Sequence, residues 1–419
     1  MIVKLAYGDD HVALDLRGFK VRPLSPSAPA ARDTAGLVGA ALDTPLEGPS
    51  LEELARGRRS VTIIVPDATR KAYLPQVLPT VLNRLGRAGI GLRSITVLVA
   101  NGTHPAVGND GLDRLLGRLP PEVRALQHDS RAHDLIAVGE LRPGVPVRLH
   151  RSAVECDFLI TIGTVRHHYF AGFGGGPKMV FPGVAGYEEI QANHSRVLDL
   201  GGDHVRRQPR CEPGNMENNP VAEEIHRVAE LRPPDIALCL VEGRDGGTAW
   251  AGAGPWASTF RSAVAKVGAW FEIPGESPFG LMIACGGGSP TDSTLIQAHK
   301  SLDAACRFLE PGGELLWVSS LDAGLGSEEM APFVAEPQIE RILEKLAAKW
   351  VQYGHTTLRI VEKTDRHNVQ LVSNLASDDA ERLGFDPITD PGAVISRWRE
   401  KFAGERVGVM ASGAVFPRP

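Results

Sequence analysis

The chain has 419 residues, 43% hydrophobic, 23% charged and 6% aromatic, the composition of an ordinary globular enzyme with two or three domains and cores large enough to need no disulfide staples. Lys plus Arg number 45 against 50 Asp plus Glu, a formal charge of −5 with no dense basic block, which argues against a nucleic-acid partner. The five cysteines (Cys156, Cys211, Cys239, Cys285, Cys306) are scattered without CxxC spacing, against a zinc knuckle, an iron–sulfur site or a disulfide framework, and no apolar run approaches the roughly 20 residues of a membrane helix.

A reducing cytoplasm is therefore the expected setting. The opening residues, MIVKLAYGDD, alternate like a strand entering a turn rather than like a signal peptide. Val61–Val65, Ile95–Ala100 and Phe158–Gly163 are nearly continuous β-branched runs, as strands buried on both faces of a parallel sheet are. Gln76–Leu85, between the first two, has apolar residues three and four apart and is predicted to be a helix. The Pro/Gly cluster at 273–280 suits a linker and a hinge. A second unit follows: Leu281–Cys285 as strand, Gly286–Pro290 as turn, Thr291–Leu309 as helix stopped by Pro311-Gly312-Gly313, and Glu314–Ser319 as strand.

The predicted architecture is α/β: two α/β domains with largely parallel sheets and an active-site cleft between them. Residues 1–272 form the first, 281–405 the second, and 406–419 a terminal strand free to return to the amino-terminal domain. Ligands of open α/β sheets sit beyond the carboxyl ends of strands. Three strands here end in polar clusters: Asp67, Thr69 and Arg70 after the first, Asn101 and His104 after the second, and Arg166-His167-His168 after the third. Each cluster alone would pass for helix capping or a turn. Three at equivalent ends favour a site.

The segment His168–His194 carries Gly172, Gly174, Gly175 and Gly176, then Lys178. Glycines let backbone N–H groups approach an anion. The pattern is neither a P-loop, since Pro177 and Met179 break it, nor a dinucleotide fingerprint, since the glycines lie too far past the strand. In the second domain Gly286–Asp292 precedes a helix whose N–H groups suit a carboxylate or phosphate, and Gln297 and Lys300 share a helical face. His226, His299 and Cys306 read as packing or surface residues. Trp350 and Tyr353 are either pocket walls or core aromatics. A purely protein-made metal site looks under-supplied, whereas a metal held partly by an organic ligand would not be.

These residues resemble the nickel-pincer-nucleotide enzymes of the lactate racemase family. The resemblance runs through most of the chain and rests on PDATR (66–70), NGTHP (101–105), HYFAGFGGGPKMVFPGVAGYEEIQANH (168–194) and the Gln297/Lys300 pair, with His168, Lys178 and His194 at spacings of 10 and 16. It implies a racemase or epimerase of a small 2-hydroxy acid, working by proton-coupled hydride transfer through a 2-oxo acid. The implied cofactor is a Ni(II)-pyridinium-3,5-bisthiocarboxylic acid mononucleotide attached through Lys178, with His194 as nickel ligand, His104 and His168 as the proton-transfer pair, and loading by cofactor-making enzymes. Asp67, Thr69, Arg70 and the Gly172–Gly176 loop are implied cofactor contacts, and Arg70, Gln297 and Lys300 substrate contacts. His168 rather than His167 keeps the family's offset from Lys178. Ile296 stands where some lactate-using relatives carry an aromatic residue, so the substrate pocket is expected to differ in shape. The rival readings are an NAD-dependent 2-hydroxy acid dehydrogenase, disfavoured by the lack of a strand-linked GxGxxG, and a non-catalytic metallo-nucleotide or carboxylate binder.

Overall fold

The computed structural model describes residues 1–202, 204–411 and 415–418. They form two compact units. The motif-bearing unit comprises Ala28–Val197 and Arg207–Ala269; the carboxy-terminal unit comprises Met1–Ser27, Leu198–Arg206 and the chain from Trp270 onward.

The motif-bearing unit is a six-stranded sheet in the order Thr248–Gly254, Ile236–Glu242, Phe158–Thr164, Val61–Pro66, Ile95–Ala100, Arg124–Gln127. Every pairing is parallel except the hairpin between the first two. All six residues of Val61–Pro66 are buried, because side chains alternate between two covered faces. Ile63 and Val65 join Val97, Ile160 and Leu238 against the helix Leu74–Arg87, which supplies Val77, Leu78, Val81 and Leu85. Ile64 points the other way, to Leu98, Leu159, Met179 and Val184. Each such side chain contributes roughly 1.5–3 kcal/mol on burial. The helix begins two residues before the predicted stretch, with Pro75 in its first turn, where a missing N–H costs nothing.

The carboxy-terminal unit holds a second six-stranded sheet, all parallel, in the order Asp386–Pro387, Asn368–Val372, Leu309–Val318, Phe279–Cys285, Arg406–Met410, Lys20–Pro23. The sequence reading differs from this unit in several places. Met1–Ser27 belongs here and not to the motif-bearing unit, through the hairpin Ile2–Tyr7/Asp10–Asp15 and the edge strand Lys20–Pro23. Arg406–Met410 also lies in this sheet, between Phe279–Cys285 and Lys20–Pro23, rather than returning to the other unit. The 273–280 segment is partly ordered as a strand, Glu272–Pro274, paired in parallel with Phe416–Arg418. The helix is shorter than predicted, Leu295–Cys306, because Thr294 caps it and residues 291–294 stay in turns. Pro311-Gly312-Gly313 does not stop that helix. It lies inside the strand Leu309–Val318, at the place where the register with Phe279–Cys285 shifts.

Under this sheet lies a buried charge cluster. Asp303, on the helix Leu295–Cys306, takes Arg359 Nη2 at 2.5 Å, Lys363 Nζ at 3.1 Å and Arg307 Nε at 3.1 Å. Burial opposes its charge, but these three cations outweigh that and hold the carboxyl well below its ordinary value of 3.8. A carboxyl with a depressed folded value contributes stability above its unfolded value and loses it as pH falls through the folded one. Asp303→Asn, which strips the counter-charge from a buried arginine, is therefore expected to lower stability by about 3–5 kcal/mol near neutral pH. Urea titrations at neutral pH and below pH 3.8 check this, and the gap between variant and wild type should narrow at the lower pH.

Candidate active site

The motif-bearing sheet reverses its strand order between Val61–Pro66 and Phe158–Thr164, and at such a point the carboxyl ends of neighbouring strands open onto a crevice. Asp67, Thr69 and Arg70 leave one of these ends and Arg166–His168 the other, with His104 on the loop after the adjacent strand Ile95–Ala100. Asn101 fixes that loop from within: it is buried, its side-chain amide donates to His128 O at 3.2 Å, and its backbone carbonyl accepts the His104 N–H at 2.8 Å.

Asp67 is the electrostatic anchor. His104 Nδ1 lies 2.6 Å from its Oδ2, and the Thr69 hydroxyl donates to both oxygens at 2.8 and 3.0 Å. Burial opposes the carboxylate, yet the His104 hydrogen bond and charge, the Arg70 guanidinium and Thr69 together hold it below its usual range. Since a carboxylate only accepts, His104 carries its proton on Nδ1 and presents a lone pair at Nε2. Arg70 is held below its ordinary value by burial and by Arg166.

Strand Arg166–His168 pairs antiparallel with Gly172–Gly174, and alternation along it sends neighbouring histidines to opposite faces. His167 packs on Phe173, with ring centroids 5.0 Å apart. His168 packs instead on Tyr169 and edge-on to Phe170, at 5.2 and 4.6 Å. Its Nδ1 accepts long contacts from the N–H groups of Ala171 and Phe170, at 3.3 and 3.5 Å, so the neutral ring carries its proton on Nε2.

Phe170 is the packing centre. Besides His168 it touches the His194 ring edge-on at 5.1 Å, and Lys178 Nζ lies 5.7 Å from its centroid. Its own carbonyl is held by the buried Asn219 amide at 2.9 Å. Lys178 sits in a single turn, Gly176–Met179, fixed by the buried Met179, Val180 and Phe181. Burial and the Arg70 charge lower its ammonium to about 7. His194 ends the helix Tyr187–His194, a place that ordinarily favours a cation, but burial and the charges of Lys178 and His104 push its imidazolium down to about 3. Both groups are thus available as neutral nitrogen donors near neutral pH.

The glycines have reasons of their own. Gly175, at φ +72°, would place a Cβ 2.5 Å from Thr164 O, and Gly172, also at +72°, would place one 2.5 Å from Asn215 O. Their being glycine follows from backbone packing and does not itself point to a bound phosphate. A Cβ at Gly174 would meet only ordinary contacts, 3.9 Å from Arg166 O and 4.0 Å from His168 Cδ2.

Gln297 and Lys300 lie in the carboxy-terminal unit, on the helix Leu295–Cys306, with Lys300 Nζ donating to Gln297 Oε1 at 2.6 Å. Ile296 and Tyr353 pack against that unit's core. The Gly286–Asp292 turn is organised by the protein itself: the buried Asp292 carboxylate accepts the N–H groups of Gly8 and Ser320, at 2.9 and 3.2 Å. The structure thus gathers Asp67, Thr69, Arg70, His104, His168, Lys178 and His194 in one unit, and places Gln297 and Lys300 in the other. Sequence reasoning missed Phe170, Asn193 and Glu224, which support the histidines. Only the adjacency of Asn193 to His194 hinted at one of them.

The sequence profile of the lactate racemase N-terminal domain matches residues 7–203. The chain is similar to lactate racemases over most of its length. The lactate racemase of Lactiplantibacillus plantarum is 29% identical over 289 residues, 68% of this chain and 66% of that enzyme. That of Thermoanaerobacterium thermosaccharolyticum is 25% identical over 413 residues, 91% of this chain and 92% of its own length. The fold of the latter's apoprotein matches over the full length of both chains with a TM-score of 0.88 at 22% identity, and a Thermotoga maritima protein matches at 0.65 and 15%. Among the described residues no helix is long and apolar enough to cross a membrane.

A lysine poised near 7 reacts with amine reagents at neutral pH, where an ordinary one is almost wholly protonated. In cofactor-free protein, limiting trinitrobenzenesulfonate followed by peptide mapping should modify Lys178 ahead of the exposed lysines at pH 7. Its rate should level off above about pH 8 while theirs keep rising, and a Lys178 rate that climbs in step with theirs would overturn the lowered value.

Proposed function

We propose that the chain is a racemase or epimerase of a short 2-hydroxy acid, lactate or a close relative, working with a nickel-pincer nucleotide joined to Lys178. The similarity to lactate racemases supports an isomerase. The observation that carries the reading further is the ring of Phe170, on which a proton-transfer histidine, a neutral donor histidine and a lowered-pKa lysine all pack.

The residues present fit such a group. Lys178 has a substantial neutral fraction at neutral pH, as a nucleophile that forms a covalent tether requires. His194 is a neutral imidazole in a buried setting. Among the described residues no three His, Cys, Asp or Glu side chains gather as a metal site, so a nickel ion at His194 would draw its other ligands from an organic partner. A soft sulfur–carbon–sulfur pincer is reasonable chemistry for that ion. When bound, the group supplies the acceptor for the hydride on the substrate's α-carbon.

The protein's own residues do the rest. Arg70 offers its guanidinium fork to the substrate carboxylate. Asp67 and Thr69 contact the nucleotide, and Asp67 also holds the His104 ring. His104, its Nε2 bare, takes the hydroxyl proton. His168 carries its proton on Nε2, and its long Nδ1 contacts are what must yield when the ring becomes doubly protonated and acts as the acid. Reversal of these roles serves the other enantiomer.

Intact-protein mass after co-expression with the cofactor-making enzymes tests the tether. Wild type should carry the adduct and Lys178→Ala should not; an unmodified wild type, in a host that loads a known family member, would sink the assignment. A chiral screen of 2-hydroxy acids then tests the reaction. His104→Ala and His168→Ala should each retain the adduct yet lose turnover by on the order of 10²–10⁴-fold. Normal racemisation by either variant would remove that histidine from the mechanism.

A further inference from the structure

His194 is backed by a chain of buried polar groups. Asn193, fully buried, donates its amide hydrogens to Val221 O at 3.1 Å and to Glu224 Oε2 at 3.0 Å. Its carbonyl oxygen is left facing His194 Nδ1, at 3.2 Å. Glu224 is in turn oriented by Arg142, whose Nη1 lies 2.8 Å from Oε1, and by Arg196 at 3.7 Å. Glu224 and the Phe170-binding Asn219 belong to one helix and its cap, so a single element supports both His194 and the ring it packs on.

This arrangement has only one satisfactory polarity. Turning the Asn193 amide over would set its oxygen against the Glu224 carboxylate and the Val221 carbonyl, acceptor against acceptor, with all three groups buried. An amide oxygen can only accept, so the His194 nitrogen facing it must carry the hydrogen. We propose that Asn193, pinned by Glu224, is a positioning residue that fixes His194 as the Nδ1–H tautomer and thereby makes Nε2 the ring's donor atom. The purpose of that donor rests on the metal-ligand reading given above; the tautomer itself does not. Ligating histidines are commonly fixed through the other ring nitrogen in this manner, and loss of such a partner typically costs 10–100-fold in metal affinity.

The test uses histidine labelled with 15N in cofactor-free protein, where long-range 15N–1H spectra report which ring nitrogen is protonated and His194→Gln identifies the signals. Wild type should show His194 as Nδ1–H. Asn193→Leu removes both the amide donor and the acceptor facing His194. The leucine variant should move substantially to Nε2–H. Glu224→Gln, which permits the Asn193 amide to turn, should introduce a minor Nε2–H form and serves if the leucine variant fails to fold. An Nε2–H wild type, or no second tautomer in any variant that loses the acceptor or the pin, would overturn the proposal. In loaded protein, Asn193→Leu should lose nickel to a chelator on the order of 10–100-fold more readily. A shifted tautomer with unchanged nickel retention would sink the metal-ligand reading and leave the positioning role standing.

Discussion

The site depends on one topological constraint, the reversal of strand order beside Val61–Pro66. The chain builds outward through Ile95–Ala100 and Arg124–Gln127, then returns to lay Phe158–Thr164 on the other side of its first strand. The connection that follows Val61–Pro66 packs on one face of the sheet through Val77, Leu78 and Val81. The connection that follows Phe158–Thr164 packs on the other, through Met179 and Val184. Two adjacent carboxyl ends are therefore left uncovered, and the polar residues leaving them meet without disturbing either core. Lys178 illustrates the economy: its turn is held by the same buried Met179 that completes the second face.

Burial then sets the charge state of what meets there. Burial disfavours protonation of both Lys178 and His194, and a positive charge nearby would oppose it further, from Arg70 on the first and from Lys178 or His104, when protonated, on the second. Desolvation and like-charge repulsion act in the same direction, so neither base depends on a single neighbour for its neutrality. A lysine so placed is disfavoured as an ammonium, and an amide-type linkage at Nζ would remove that charge altogether. Asp67 obeys the opposite logic. It is also buried, but His104, Arg70 and Thr69 reverse the effect of burial, and it remains an anion. One crevice thus holds a carboxylate and two neutral bases because their partners differ, not their depth.

Much of this was legible in the sequence, for identifiable reasons. Continuous β-branched runs such as Val61–Val65 can be read as buried parallel strands because both faces of the sheet are covered. Polar residues at three strand ends could be read as a site because the fold class fixes where ligands go. The fate of Pro311-Gly312-Gly313 could not, since a register shift inside a strand tolerates the same residues that stop a helix. The return of Met1–Ser27 and Arg406–Met410 to one sheet was likewise hidden, because parallel pairing between distant segments leaves no local trace. Phe170 looked like an ordinary core aromatic in a glycine-rich run. Its importance lies in what shares its ring, which only the folded chain reveals.

The three site histidines differ in a way that residue identity alone does not encode. His104 and His194 each turn Nδ1 toward an oxygen, of Asp67 and of Asn193, and so expose a lone pair at Nε2. His168 turns Nδ1 toward backbone N–H groups, which places the proton of its neutral ring on Nε2. The partners also differ in strength. A charged carboxylate stands 2.6 Å behind His104, whereas the neutral Asn193 amide at 3.2 Å does little for a protonated His194 and leaves burial in control. The arrangement therefore sets a histidine backed by an anion apart from one that burial keeps neutral. The two rings share a residue type but not a setting, for an anion stands behind one and an amide behind the other.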